Sequence, residues 1–411
     1  MKEGWEIKKL GEVLIIERGG SPRPIEKYIT SSPNGLNWIK ISDATASDKY
    51  IFETKEKITQ DGLHKTRVVN EGDFILSNSM SFGRPYIMKT TGCIHDGWLV
   101  LRQNGKKQFE TEFLYYLLSS PYVFNQFNEL AAGSTVRNLN IALVSSVNVP
   151  IPPLPEQRRI VSFLDEAFAA ITHVKANAEQ NLKNARELFD NYLQSVFLNN
   201  GKEWEEKTLR EVCEIKPPKN EARNKLHKTD LVSFIPMEDL GINHKFFTPT
   251  KQKQLSQVEG SYTYFAEGDI LLAKITPCFE NGKLGIAKSL INGIGFGSSE
   301  FIVFRVSKNL FSEFLYFFLL RKSFRAEGAE RMTGAVGHKR VTKEFIYNYR
   351  LPMPPLDEQR SIVKKLDSLS IEIEKLDAIY QQKLNNLDVL KKAILQKAFK
   401  GELNTDKALV V

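Results

Sequence analysis

Two long runs of the chain place apolar residues on an alternation of three and four. In the first, Leu164, Ala167, Ile171, Val174, Ala178, Ala185, Leu188 and Tyr192 follow it, with Asn181 as the one polar interruption. In the second, Leu366, Leu369, Ile373, Leu376, Tyr380, Leu387, Leu390 and Ile394 do the same, with Lys383 at the matching break. A stripe this narrow is the seam of a coiled coil rather than the broad apolar face of a helix lying on a globular core. After the prolines that precede them, the runs contain no Gly or Pro until Gly201 and Gly401. Each therefore predicts one or two long helices, and the obvious partner of each stripe is the other. Before each run the pattern changes. Short β-rich stretches ("WIKIS", "DFILS", "GWLVLR"; "DILLAKI", "EFIVFRV") alternate with Gly, Pro and Asn, and one amphipathic helix is predicted around "EFLYYLL" or "EFLYFFL". These parts read as compact mixed α/β or α+β domains.

The two halves are copies. "WEIKKLGEV" from Trp5 returns as "WEEKTLREV" from Trp204, "EGDFILSN" from Glu71 as "EGDILLAK" from Glu267, and "EFLYYLL" from Glu112 as "EFLYFFL" from Glu313. "PIPPLPEQRRIV" from Pro150 returns as "PMPPLDEQRSIV" from Pro352, and "LQSVF" from Leu193 as "LQKAF" from Leu395, both 202 residues on. Order is kept while the spacing drifts slightly, as in the duplication of a whole domain with its connector. The two apolar stripes share one register across the same offset. The proline phrase marks the start of each helix: Pro disfavours helix before itself, and Glu156 and Glu358 suit a first turn.

With 411 residues, 42% of them hydrophobic, the chain can bury more than one core. No run is long and apolar enough to cross a bilayer and the N-terminus lacks a secretory apolar segment, so a cytoplasmic protein without membrane association is expected. Cys93, Cys213 and Cys278 lie far apart without metal-ligand spacing, and neither a disulfide framework nor a metal site is expected. The formal net charge is +8, and residues 201–351 hold 24 basic against 18 acidic side chains. That balance suits a polyanionic partner.

Signs of catalysis are thin. "GKLGIAKS" from Gly282 has Ala287 where a phosphate-cradling loop needs its second glycine, and "GIGFGS" from Gly293 leads into a strand pattern rather than a helix. The aromatic Pro-Pro loop typical of adenine methyltransferases is missing, and the six histidines show no HExxH. Basic and small polar residues gather instead in loop-like stretches. Arg23, Lys65, Arg67, Ser79, Arg84 and Arg137 stand out in the first domain, and Lys219, Arg223, Lys274, Lys283, His338, Lys339 and Arg340 in the second. Such side chains can neutralise phosphates and read base edges. They are the candidate DNA-binding residues.

Two variable mixed domains, each closed by "PPLPEQR" or "PPLDEQR" and followed by a long heptad helix ending in "LQSVF" or "LQKAF", resemble the specificity subunit of Type I restriction-modification enzymes. The resemblance covers essentially the whole chain. It implies target-recognition domains at 1–151 and 201–353, and spacer helices at 152–200 and 354–411 that form an antiparallel coiled coil with internal pseudo-twofold symmetry. Leu164, Ile171, Val174, Leu188, Leu366, Ile373, Leu376 and Leu390 would mark its seam. The resemblance also implies double-stranded DNA as ligand, with one different half-site per domain, and partnership with two methyltransferase subunits and, in the full complex, restriction subunits. The chain itself would have no catalytic residues and no cofactor, S-adenosylmethionine being bound by the methyltransferase. Two other readings are a self-contained restriction or methylation enzyme with an unrecognised site, and a coiled-coil scaffold whose basic domains bind RNA or nothing.

Overall fold

A computed structural model describes residues 2–78, 82–132, 138–198, 204–335 and 337–403. The chain divides into two compact units, residues 1–178 with 381–411, and residues 179–380.

In the first unit, a five-stranded sheet runs in the order Leu14–Arg18, Trp98–Gln103, Phe74–Ser77, Pro85–Met88, Tyr50–Ile51. The repeated "EGD" explains how it starts. Gly72, at φ +89°, makes the turn, and Asp73 accepts from the Asn70 backbone N–H (2.8 Å) and from Nε of Arg102 (2.9 Å) on the neighbouring strand. The strand that follows is buried at every position because both faces are covered. Phe74 and Leu76 join Leu99, Leu101 and the helix Thr111–Leu118 on one face. Ile75 joins Trp98, Val100, Tyr86 and Ile39 on the other. A second five-stranded sheet contains Leu36–Ile39 and Gly92–Ile94, paired in parallel. An antiparallel ribbon of Glu6–Lys9 with Asn148–Ile151 joins the two ends of the domain.

The second unit repeats this plan with its own sequence. Its five-stranded sheet is Cys213–Ile215, Phe301–Val306, Ile270–Ala273, Leu284–Ala287, Phe246–Phe247, and its second sheet has four strands. Gly268 (φ +83°) makes the corresponding turn, and Asp269 accepts from Ala266 N–H (2.8 Å) and from Arg305 (3.0 and 2.8 Å). The end ribbon pairs Glu205–Thr208 with Arg350–Met353.

The long helices are Leu154–Leu198 and Leu356–Lys400, 45 residues each. In the first unit Ile160 and Leu164, from the start of the first helix, share a core with Leu395, Ala398 and Phe399 from the end of the second. The Phe399 ring meets Phe113 edge-on at 5.3 Å. In the second unit Val363 and Leu366 share a core with Leu193 and Phe197, and Phe197 lies 5.1 Å from Phe314. The repeated "LQ..F" endings are thus domain anchors. Within the first unit Lys175 pairs with Asp388 and Lys391 sits 5.0 Å over the Phe168 ring, so the segments run antiparallel. In the second, Arg186 donates to Asp377 at 2.8 Å.

The seam departs from the expected heptads. Leu164, Ile171 and Leu366 are buried and Val174 and Ile373 half-buried, but Leu188, Leu376 and Leu390 are exposed, Leu188 by 62%. Beyond Ala178 the inward positions are Leu182, Ala185, Phe189, Leu193 and Phe197, one residue past the expected Asn181, Leu188 and Tyr192 while Ala185 stays in place. Their spacing is nearer about 3.7 than 3.5, so a strict seven-residue reading drifts off the inner face within about two heptads.

The proline phrase does more than start a helix. Gln157, fully buried, donates to the carbonyls of Gln108 (2.9 Å) and Pro152 (2.9 Å) and accepts from Glu110 N–H (2.8 Å). Gln359 donates to Asn309 (3.0 Å) and Pro354 (2.9 Å) and accepts from Phe311 N–H (2.8 Å). Each glutamine fastens the helix to its domain beside the helix Thr111–Leu118 or Ser312–Leu320.

Candidate nucleic-acid interface

Each domain builds one corner by the same backbone bonds and fills it with different side chains. In the first, Asn78 donates its N–H to Gly97 (3.1 Å), accepts from Leu139 N–H (2.9 Å), and sends its side-chain amide to the Asp96 carbonyl (2.8 Å). In the second, Lys274 donates N–H to Glu300 (2.9 Å), accepts from Val341 N–H (2.9 Å), and sends its ammonium to the Ser299 carbonyl (2.8 Å). The next residues match as well. His95 Nδ1 accepts from Gly97 N–H at 2.9 Å, and Ser298 Oγ accepts from Glu300 N–H at 3.2 Å. Asn78, His95, Asp96 and Gly97 thus stand where Lys274, Ser298, Ser299 and Glu300 stand in the other copy.

The side chains constrain one another. A Cβ on Gly97 would lie 2.4 Å from the His95 ring, which folds back over it. The smaller Ser298 leaves room for Glu300. In the first domain the corner opens on a groove of about 1,100 Å³ lined by Ser21, Arg23, Trp38, Lys40 and His95. His95 packs 6.1 Å from both Trp38 and Trp98, and burial holds its imidazole below the ordinary pKa. With Nδ1 engaged as an acceptor, the neutral ring carries its proton on Nε2, a fixed donor. Asp96 accepts from Ser21 Oγ (2.8 Å), a bond that holds its carboxyl below the usual range, and lies 3.8 Å from Arg23.

In the second domain the corner borders a smaller cavity of about 200 Å³, lined in part by Lys216, Lys219, Lys274, Lys343, Phe301 and Tyr347. Burial, then repulsion from Arg340, Lys216 and Lys343, pulls the Lys274 ammonium below the usual lysine range against the attraction of Glu300. Arg340 donates to both oxygens of Glu300 (2.9 and 2.8 Å).

The remaining candidates are dispersed. Lys65 lies 5.8 Å over the Tyr28 ring and Arg84 5.2 Å over Tyr86, both exposed, while Arg67 pairs with Glu17 at 3.2 Å. Arg223 pairs with Glu259 (2.7 Å), Lys219 donates to the Gly260 carbonyl (2.6 Å), and Lys283 to that of Met237 (2.8 Å). His338 and Lys339 are exposed; Ser79 and Arg137 lie outside the described residues. Of the thirteen, the structure gathers Arg23 at the first corner and Lys219, Lys274 and Arg340 at or beside the second. His95, Trp38, Ser298 and Glu300 were not singled out by sequence. The one signal was positional, since "HDG" and "SSE" both directly precede the repeated strand. Among the described residues no group of three or more His, Cys, Asp or Glu could hold a metal, and no helix is long and apolar enough to cross a membrane.

A family model described as the Type I restriction modification DNA specificity domain matches residues 2–184 and again 201–383. Similar proteins include the Type I restriction enzyme EcoEI specificity subunit of Escherichia coli, 37% identical over 189 residues, covering 45% of this chain and 30% of that one. The MjaVIII specificity subunit of Methanocaldococcus jannaschii is 21% identical, covering 98% of this chain and 93% of that one. The chain therefore spans about a third of the E. coli relative's length and nearly all of the archaeal one's. Among solved structures, the HsdS subunit of Thermoanaerobacter tengcongensis superposes with a TM-score of 0.60 at 23% identity, covering 98% of each chain. A chain from a structure of type I R-M complex assembly and conformational transition gives 0.75 at 23%, covering 98% of this chain and 99% of that one.

Proposed function

Because the chain belongs to the Type I restriction modification DNA specificity family, we propose that it is the DNA-reading subunit of such an assembly, with each domain reading one half of an asymmetric bipartite target. One observation carries this reading: the Asn78 and Lys274 corners share their backbone bonds and differ in nearly every side chain. A retained frame with exchanged side chains suits two readers of different sequences. The neutral His95, donating from Nε2, is matched to acceptors such as guanine N7 or O6, while the cationic second corner is matched to phosphates and guanine edges.

The methyl transfer and cleavage belong to partner subunits, with S-adenosylmethionine held by the methyltransferase, and the setting is the cytoplasm. Two copies of that methyltransferase fit the repeat, because the chain carries two copies of one domain and connector. The antiparallel helices act as a ruler, since two weak readers on a stiff spacer gain affinity only when the half-sites lie at the matching distance.

Selection from random duplexes, using the chain bound to a cognate methyltransferase subunit, tests the reading. Two unlike conserved blocks separated by a fixed unconserved gap are expected. Enrichment of one continuous block, or no enrichment from a well-formed complex, would contradict it.

A further inference from the structure

The second domain holds a lysine-lined cavity, and one of its lysines differs in charge and backbone from its counterpart in the first. Where the second has Lys216, in the left-handed region at φ +63°, the first has Glu17 inside the regular strand Leu14–Arg18. Glu17 is engaged by Arg67 (3.2 Å) and Arg102 (2.7 Å). An L-residue held at positive φ is a strain that persists where the surroundings impose it, often at ligand sites. Around this cavity, Lys219 is engaged with main-chain carbonyls and Lys274 shares Glu300, at 3.8 Å, with Arg340. Among the described residues Lys216 and Lys343 have no acidic partner. Four lysines line one recess, and Glu300, the carboxylate that Lys274 approaches, is already bound to Arg340; such an excess of positive charge calls for an anion. Ser261, Thr263 and Ser299 also line it, beside apolar and aromatic side chains that include Phe301 and Tyr347. The volume of about 200 Å³ is below the roughly 300–1,000 Å³ of sites that enclose a whole drug-sized ligand. It is the scale of one planar ring with its charged group at the mouth.

We infer that this cavity binds a single nucleotide, its base against Phe301 and Tyr347 and its phosphate between Lys216 and Lys343. The nucleotide could belong to bound DNA, as an unstacked residue, or be free in solution. The chemistry is shared, and the inference rests on the DNA-reading function only for the first source. Titration of the full chain with deoxyadenosine monophosphate, deoxyadenosine and inorganic phosphate tests the site. The nucleotide should bind more tightly than either part, and the doubly substituted Lys216→Glu, Lys343→Glu chain should bind it roughly tenfold or more weakly with an unchanged melting temperature. Lys106→Glu, at an exposed lysine of the first domain, should have no effect. Equal binding of the nucleotide to the wild-type and double-variant chains, or no binding at all, would overturn the inference even if the chain still selects a bipartite duplex target. Duplexes carrying 2-aminopurine at successive positions of the mapped target separate the sources. A fluorescence rise at one position, lost in the double variant, identifies an unstacked DNA nucleotide; nucleotide binding without such a rise identifies a free one.

Discussion

Gln157 and Gln359 make the same three hydrogen bonds 202 residues apart, each donating twice to carbonyls and accepting one backbone N–H from the segment that opens a domain helix. Replacing Gln157 by Ala leaves the Glu110 N–H and two carbonyls without their partner. The change should lower stability by about 1–3 kcal/mol, read by chemical denaturation, and Gln359→Ala should do the same in its own unit. Unchanged denaturation midpoints would show that the phrase serves only to start a helix.

Asp269 is the buried end of an ion pair with Arg305, its side chain 2% exposed. Asp269→Asn keeps the shape but removes the charge that Arg305 and the Ala266 N–H face. A loss of about 3 kcal/mol is expected, larger than that of Glu214→Gln at the 51% exposed rim of the same arginine. Denaturation of the two variants compares them directly.

His95 carries a pH signature. Its folded-state pKa is depressed by burial, so between that value and the unfolded value near 6.5 the unfolded chain binds more protons. Stability should fall as pH drops through that window and recover as it rises. His95→Gln should flatten this dependence and also change the bases preferred in one half-site while leaving the other half-site intact. An equally steep dependence in the variant would remove His95 from the account.

Helix length should set the gap. Inserting seven residues, two turns, into both long helices near Ala178 and Gln381 lengthens the spacer by about 10 Å, or about three base pairs. Selected targets should show a wider gap and unchanged half-sites. Altered half-sites with the original gap would contradict the ruler.

Much of the architecture was legible because duplication wrote it twice. The ribbon, the "EGD" turn, the helix start and the "LQ..F" anchor each appear in both copies, and a repeated phrase is visible whatever its role. What the phrase does was not visible. Gln157 looks like any polar residue in a first helical turn until the backbone of a distant segment meets it. In the first helix the apolar stripe was legible to Ala178 and then misplaced Leu188, and in the second it misplaced Leu376 and Leu390, because a reading in steps of three and four cannot tell a 3.5 period from one near 3.7 over so few turns. The two corners at Asn78 and Lys274 were least legible. Asn78 meets Asp96, Gly97 and Leu139 through bonds between segments far apart in the chain, with His95 beside them, and nothing in their local sequence marks them as neighbours.

The central claim is that one chain presents two different readers on a shared frame. It is tested most directly by mapping N6-methyladenine in the DNA of cells that co-express this chain with a cognate methyltransferase subunit. One asymmetric bipartite motif is predicted, with a fixed gap and a methylated adenine in each half, and Lys274 substitutions should alter one half alone. A palindromic or continuous motif, or no new methylation from a well-formed complex, would contradict it.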